Sequence, residues 1–468
     1  MTPRRSSRSG AAFGAALLLL TACSGSGDRP ASSDAGTPPG TAGAGSPAAP
    51  GPAGSDWPNY HGDPAHSGTS TSMPPVQGDP RVVARVKLDG QVYASPIVVA
   101  GVTYVATEND TVYALDRSYR QVWQRHLGDP SPQEERQCGD ISPLGITGTP
   151  IYQDGVVYVV AELAGNVRHE LFALDAQTGE TKWSRSVDLP GVSARDMQQR
   201  GALAIAHDRV WVSYGAQAGD CGDYKGRVVG VDLDGSGDPV FYSPPTERGG
   251  GIWNAAGPTR LPGGDLLVVS ANGAAFPGDD YDHTNSVLRL DGDARLVDSF
   301  APSDWAQNNQ GDVGLGSQGV ALVGDKWAVL GGKSGPVYVL RPDDLGGIGG
   351  QVSVQDICPS YGGAAVDGSV VYLPCDEGGV AAVRVDDAGR LHVLWRADPS
   401  IAGTPVVGGG RVWSLDQRGG VLYALDPGSG RSRAQVAVGE TSRFAAPAIT
   451  GPDVLVPTLA GLTVVRTS

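Results

Sequence analysis

From about residue 92 onward, the chain repeats one order of apolar and polar positions. A small-residue step that often ends in Pro leads through a Gly or Asp turn into an aromatic- and Val-rich strand. A second turn follows, then an apolar strand ending in Asp, and a Gly turn into a Trp-bearing strand. One copy reads Ala94-Ser95-Pro96, Val102-Thr103-Tyr104-Val105, Val112-Tyr113-Ala114-Leu115-Asp116 and Val122-Trp123. The next reads Gly148-Thr149-Pro150, Val156-Val157-Tyr158-Val159, Leu171-Phe172-Ala173-Leu174-Asp175, Thr178-Gly179 and Trp183. The apolar strand returns at Gly230-Val231-Asp232, Arg289-Leu290-Asp291, Val339-Leu340-Arg341, Arg384-Val385-Asp386 and Ala424-Leu425-Asp426, which completes seven units. An eighth, with Leu462-Thr463-Val464-Val465, stops short of its last strand, and residues 81–88, where Val alternates with polar residues, supply it. The pattern predicts an all-β, eight-bladed propeller of four-stranded antiparallel blades, closed by an N-terminal strand, so that only short, protected sheet edges remain.

Each recurring residue has structural work in such a unit. The Asp accepts hydrogen bonds from the turn that follows it, Gly supplies positive φ, and Trp123, Trp183 and Trp395 pack between neighbouring blades. No catalysis is read from them.

Composition agrees with this picture. The 69 Gly and 35 Pro of the 468 residues argue against a helical protein, and the repeat assigns most of them to turns. A formal charge of -15 removes nucleic acid as a general partner, because counterion release needs clustered Lys and Arg. A small cationic or sugar-like ligand stays compatible.

Residues 1–22 carry Arg4, Arg5 and Arg8 before an apolar run too short to span a bilayer, and predict a secretory signal. The run ends in Leu20-Thr21-Ala22-Cys23, which resembles the lipobox of bacterial lipoproteins. That resemblance implies a lipidated Cys23 as mature N-terminus and an exported protein anchored to the outer face of the cell membrane. Loss of the three signal Arg takes the formal charge from -15 to -18. Residues 23–55 follow as a disordered Gly/Ser/Pro/Ala tether with a reach of about 30 Å. Function is therefore expected in residues 56–468, as a monomer.

The four-strand unit resembles the repeat of the pyrroloquinoline quinone (PQQ) propeller superfamily. That group includes calcium-dependent quinoprotein alcohol dehydrogenases and also cofactor-free propellers, among them the lipoprotein of the outer-membrane barrel assembly machinery. Residues before a blade's first strand and after its second share one face, and the long insertions 128–145, 215–226, 272–285 and 302–316 all fall there. The resemblance gives several of these residues roles. Gly249-Gly250-Gly251-Ile252-Trp253 is similar to the step leading to the Trp on which the quinone stacks, and Ser270-Ala271-Asn272-Gly273 to the step whose Asn helps hold calcium. Lys333 stands where a basic residue contacts the quinone. Asp220 is a further calcium candidate, and Asp304 or Asp312 falls where the family carries its catalytic base. Such a set offers an aromatic platform, oxygen ligands for a hard cation, a counter-charge for carboxylates and a base.

The chain also departs from that pattern. The family's adjacent cysteines are reduced to Cys138, its calcium-binding Glu has no counterpart in 215–221, and its cofactor-contacting Thr step is replaced by Arg200-Gly201-Ala202. No haem-attachment motif occurs, the His residues form no zinc pair, and Gly332-Lys333-Ser334 lacks the first Gly of a phosphate loop. Asp279-Asp280-Tyr281-Asp282-His283 lacks EF-hand spacing and is assigned to a solvated loop. Beyond Cys23, four cysteines permit three connectivities. Cys358 and Cys375 flank a hairpin turning at Asp367-Gly368, and Cys138 and Cys221 lie in decorated loops of neighbouring blades, so those two disulfides are expected. The leading expectation is a non-catalytic, surface-anchored module without cofactor that binds a protein or cell-envelope ligand on its decorated face. The alternative is a calcium- and PQQ-dependent alcohol or sugar dehydrogenase.

Overall fold

A computed structural model describes residues 56–467. The readings of residues 1–22 and 23–55, Cys23 included, lie outside the described residues. The strand and turn residues of the repeat form eight antiparallel sheets, each built on four strands. Blade one runs outward through Ile97–Val99, Val102–Ala106, Thr111–Leu115 and Gln121–His126. Blade eight takes Ala448–Thr450, Asp453–Thr458 and Gly461–Arg466 from the C-terminus and Arg81–Lys87 from the N-terminal side, with Arg81 opposite Arg466 and Lys87 opposite Gly461. The expected closure is the observed one. Two additions were not legible: Met197–Gln198 extends blade three, and Gly347–Ile348 joins blade four parallel to Leu296–Ala301. Among the described residues the one α-helix is Trp305–Gly311, and no helix is long and apolar enough to cross a membrane.

The repeat's own chemistry docks blade to blade. Trp123 Nε1 donates to the Ala176 carbonyl of the next blade at 3.1 Å, Trp183 to Leu233 at 3.2 Å, and Trp395 to Pro427 at 2.7 Å. Below each ring lies a turn glycine whose φ is positive (Gly179, Gly235, Gly430), and a Cβ there would collide with the indole. The turns are held by the Asp that ends the third strand. Asp116 accepts from the amides of Ser118 and Arg120 at 2.8 and 3.0 Å, and Asp386 from Ala388 and Arg390 at 2.9 Å.

Residues 56–76 form a strap over the face opposite the long insertions, where the hairpins between first and second strands turn. Asp56 Oδ1 accepts from the Ala100 amide at 2.9 Å, and Trp57 pairs with Val98 in blade one. The strap then accepts from Tyr152 (blade two, onto Pro58), Arg260 (blade four, onto Pro64), Val366 (blade six, onto Ser67) and Val407 (blade seven, onto Gly68), at 2.7 to 3.1 Å. At its centre Tyr60 reaches the ring axis and packs on Ala202, Ala256 and Ala446 of blades three, four and eight. His61 stacks on Tyr60 at 4.3 Å and His66 meets it edge-on at 5.5 Å, both histidines being buried.

Candidate functional site

On the decorated face a cavity of about 540 Å³ opens over the ring axis. Its walls come from the two positions that every blade presents there. Tyr93, Arg200, Trp253, Tyr361 and Phe444 precede inner strands, while Asp220, Asn272 and Lys333 follow second strands. Backbone geometry sets the platform: Gly249 and Gly250 have φ of +89° and +66°, and Gly249 bridges both Lys225 and Gly273, which holds the chain between blades three and four before Trp253. Gly215 leaves room for the Trp253 side chain, whose Cβ a side chain there would strike.

Of the six site residues read from the sequence, the structure brings Trp253, Asn272, Asp220, Asp312 and Lys333 to this one cavity. Lys333 Nζ lies 5.6 Å from the Trp253 ring centre and 2.5 Å from Asp312 Oδ1. Asn272 Nδ2 donates to the same Asp312 oxygen, leaving Asn272 Oδ1 buried without a hydrogen-bond partner. Asp304 is not among the cavity residues. It sits exposed at the N-terminal boundary of the helix Trp305–Gly311, and that helix ends at Asp312, in a left-handed conformation. Asp220 lies at the rim and is exposed, its carbonyl taking a hydrogen bond from Arg248.

Both expected disulfides are present. Cys138–Cys221 joins the first two insertions with Cα atoms 6.1 Å apart, and Cys358–Cys375 spans 5.5 Å across the blade-six hairpin. A buried ionic group organises the first insertion. Arg136 donates to the Ile141 carbonyl at 2.6 Å and stands 3.9 Å from Glu162, which in turn lies 3.3 Å from His169. Burial alone would lower the His169 pKa, but Asp188 at 2.8 Å and Glu162 overcome it and push it up to about 10. The acidic loop at 279–283 uses its groups locally: Asp282 accepts from Thr284, and His283 bonds Tyr242 at 2.6 Å.

Tyr93, Tyr361, Arg443 and Phe444 were missed from the sequence, and Arg200 registered only as a departure. The signal was available, since all five precede an inner strand and so belong to the decorated face. They matter chemically. Phe444 meets Trp253 edge-to-face at 6.2 Å, Arg200 lies over Phe444 at 5.1 Å, and Arg443 lies over Tyr361 at 4.2 Å while pairing with Asp376 at 2.9 Å.

These residues suit the flat ring and negative charge of a quinone better than they suit its calcium. Asn272 Oδ1 and the Asp312 carboxylate offer three side-chain oxygens, one already engaged by Lys333 and by the Asn272 amide, and no group of three His, Cys, Asp or Glu among the described residues is placed to hold a metal.

The fold is an eight-bladed β-propeller of four-stranded antiparallel blades. Residues 77–143 and 141–277 match the family model described as outer membrane protein assembly factor BamB. In sequence, 185 residues are 28% identical to the 1-butanol dehydrogenase (cytochrome c) of Thauera butanivorans, covering 38% of this chain and 23% of that enzyme. The chain thus spans under a quarter of that relative's length. The quinohemoprotein alcohol dehydrogenase of Comamonas testosteroni superposes with a TM-score of 0.66 at 15% identity, over 88% of this chain and 80% of the other. BamB of Moraxella catarrhalis superposes with a TM-score of 0.56 at 17% identity, over 84% and 98%. At these identities the superpositions show the fold.

Proposed function

We propose that the chain is a non-catalytic binding module of the bacterial cell envelope, which takes a small ring-bearing ligand in the cavity over Trp253. The observation that carries this reading is the make-up of the cavity: five aromatic side chains and three cations converge on the axis, with the oxygen set for a catalytic cation incomplete. Aromatic platforms and guanidinium groups recognise flat or sugar-like rings and their charges. An envelope location draws on the lipobox at Cys23 and on the match to an outer membrane assembly factor.

A second reading, a calcium- and PQQ-dependent alcohol or sugar dehydrogenase, is favoured by one observation. The orphaned Asn272 Oδ1 sits beside the Asp312 and Lys333 pair above Trp253. In that case Trp253 and Lys333 hold the quinone, Asn272 and Asp220 face calcium, and Asp312 supplies the base.

One titration separates them: PQQ with and without Ca²⁺, followed by Trp fluorescence and by acceptor-dye reduction over an alcohol and sugar panel. The module reading expects quenching without dye reduction, weakened by up to about tenfold in Trp253→Ala, the loss expected for one stacking partner. Calcium-dependent turnover that disappears in Trp253→Ala overturns it in favour of the dehydrogenase.

A further inference from the structure

The residues matched to the quinoproteins build one side of the cavity. The other side, around Arg200 and Phe444, departs from that resemblance, Arg200-Gly201-Ala202 standing in place of the cofactor-contacting Thr step, and it contains an imbalance of charge.

The three cavity cations differ in their partners. Lys333 is neutralised by Asp312 at 2.5 Å and Arg443 by Asp376 at 2.9 Å. Arg200 has no carboxylate at ion-pair distance among the described residues. Its Nη2 donates to the neutral Gln198 Oε1 at 2.7 Å, and its guanidinium lies over the Phe444 ring. The side chain is only partly exposed, and burial lowers its pKa against the longer-range pull of Asp140 and Glu108. A guanidinium withdrawn from water without a counter-charge costs free energy that an incoming anion recovers.

The surroundings give that anion a place. A narrower recess shares Tyr93, Arg200 and Phe444 with the cavity and runs past Ser95 and Thr149 down to Tyr60 of the strap, with room for about one water-sized group (about 10 Å³). Burial pushes the Tyr93 pKa up to about 12, so its hydroxyl remains a donor at neutral pH. We infer that Arg200 is an oxyanion subsite at the mouth of the central channel. The ligand whose ring lies in the cavity carries an acidic oxygen group that pairs with Arg200 beside Phe444. The inference rests on the binding reading above and names its ligand class: a ring compound with at least one oxyanion.

The test uses two probes on the intact protein and on Arg200→Gln and Arg200→Lys. Benzene-1,3,5-tricarboxylate, compared with its neutral tricarboxamide, reports ring binding through Trp fluorescence. Inorganic phosphate reports the anion subsite alone, as protection of Arg200 from phenylglyoxal mapped by mass spectrometry. The tricarboxylate is expected to bind at least about tenfold more weakly to Arg200→Gln, the loss expected for one charge-assisted hydrogen bond, and Arg200→Lys to recover part of it. The tricarboxamide is expected to bind weakly to all three, and phosphate to protect Arg200. Equal binding of the tricarboxylate to wild type and Arg200→Gln, or equal binding of the charged and neutral probes, overturns the subsite and leaves the cavity reading standing. Phosphate protection without any ring binding does the reverse. Unchanged thermal unfolding of Arg200→Gln separates a lost subsite from a lost fold.

Discussion

A chain that begins at Gly90 is expected to lose cooperative folding altogether. It lacks the closing strand Arg81–Lys87, so Gly461–Arg466 becomes an unpaired edge. It also lacks the strap, and with it the buried Trp57, Tyr60 and Met73 and the hydrogen bonds to blades one, two, four, six and seven. Burying one large apolar side chain is worth about 1.5–3 kcal/mol, so three of them plus the strand approach the whole stability of an ordinary domain, about 5–15 kcal/mol. Near-UV circular dichroism and size exclusion should show an expanded or aggregated species. A peptide of residues 56–88 added in trans should restore part of the near-UV signal. A monomeric, cooperatively melting truncation would mean that the ring closes without either element.

The second large effect is on pH. Burial lowers the pKa of His61, with help from the charge of His66, to about 3, and burial lowers that of His66 to about 4. Both stay neutral when folded and protonate near 6.5 when unfolded, so the unfolded state binds more protons below that pH and stability falls as the solution is acidified. Each contributes about 1.4 kcal/mol per pH unit, or on the order of 4 kcal/mol for the pair between pH 6.5 and pH 5. Other groups act with the opposite sign. Burial raises Asp110 to about 9 and Glu108 to about 7, and His169 is raised to about 10, so their contributions are lost as pH rises through those values. Below pH 6.5 His169 is protonated in both states and drops out, Asp110 and Glu108 oppose the histidine pair, and wild type should be least sensitive to pH between about pH 5 and 6.5. The readout is the difference between wild type and His61→Gln/His66→Gln in urea unfolding at about pH 7 and about pH 5. That difference should move in the variant's favour on acidification by an amount on the order of 4 kcal/mol. A constant difference across this range would show that the two histidines are not held neutral.

What the sequence disclosed depended on whether a residue's partner lay at a repeated distance. The Asp turns, the docking glycines and the Trp residues interact with the next turn or the next blade, so their spacing recurs from unit to unit and predicts the ring. The strap does not repeat. It touches single residues of several blades in an irregular path, and Pro58, Pro64 and Gly68 give it no strand periodicity. The cavity divides in the same way. Trp253, Asn272, Asp312 and Lys333 were legible from a known arrangement, whereas Arg200, Arg443 and Phe444 approach one another only because blades three and eight, three places apart in the ring, both send these residues over the axis. Asp304 and Asp312 were indistinguishable along the chain, and the intervening helix separates them.

The strap also gives the ring a mechanical polarity. Asp56 is fixed beside Ala100 on the face opposite the cavity. A pull on this end meets the paired Trp57 and Val98 first, and then the contacts along the strap as it runs from blade to blade. The load is thus spread over the circumference before it reaches the closing strand.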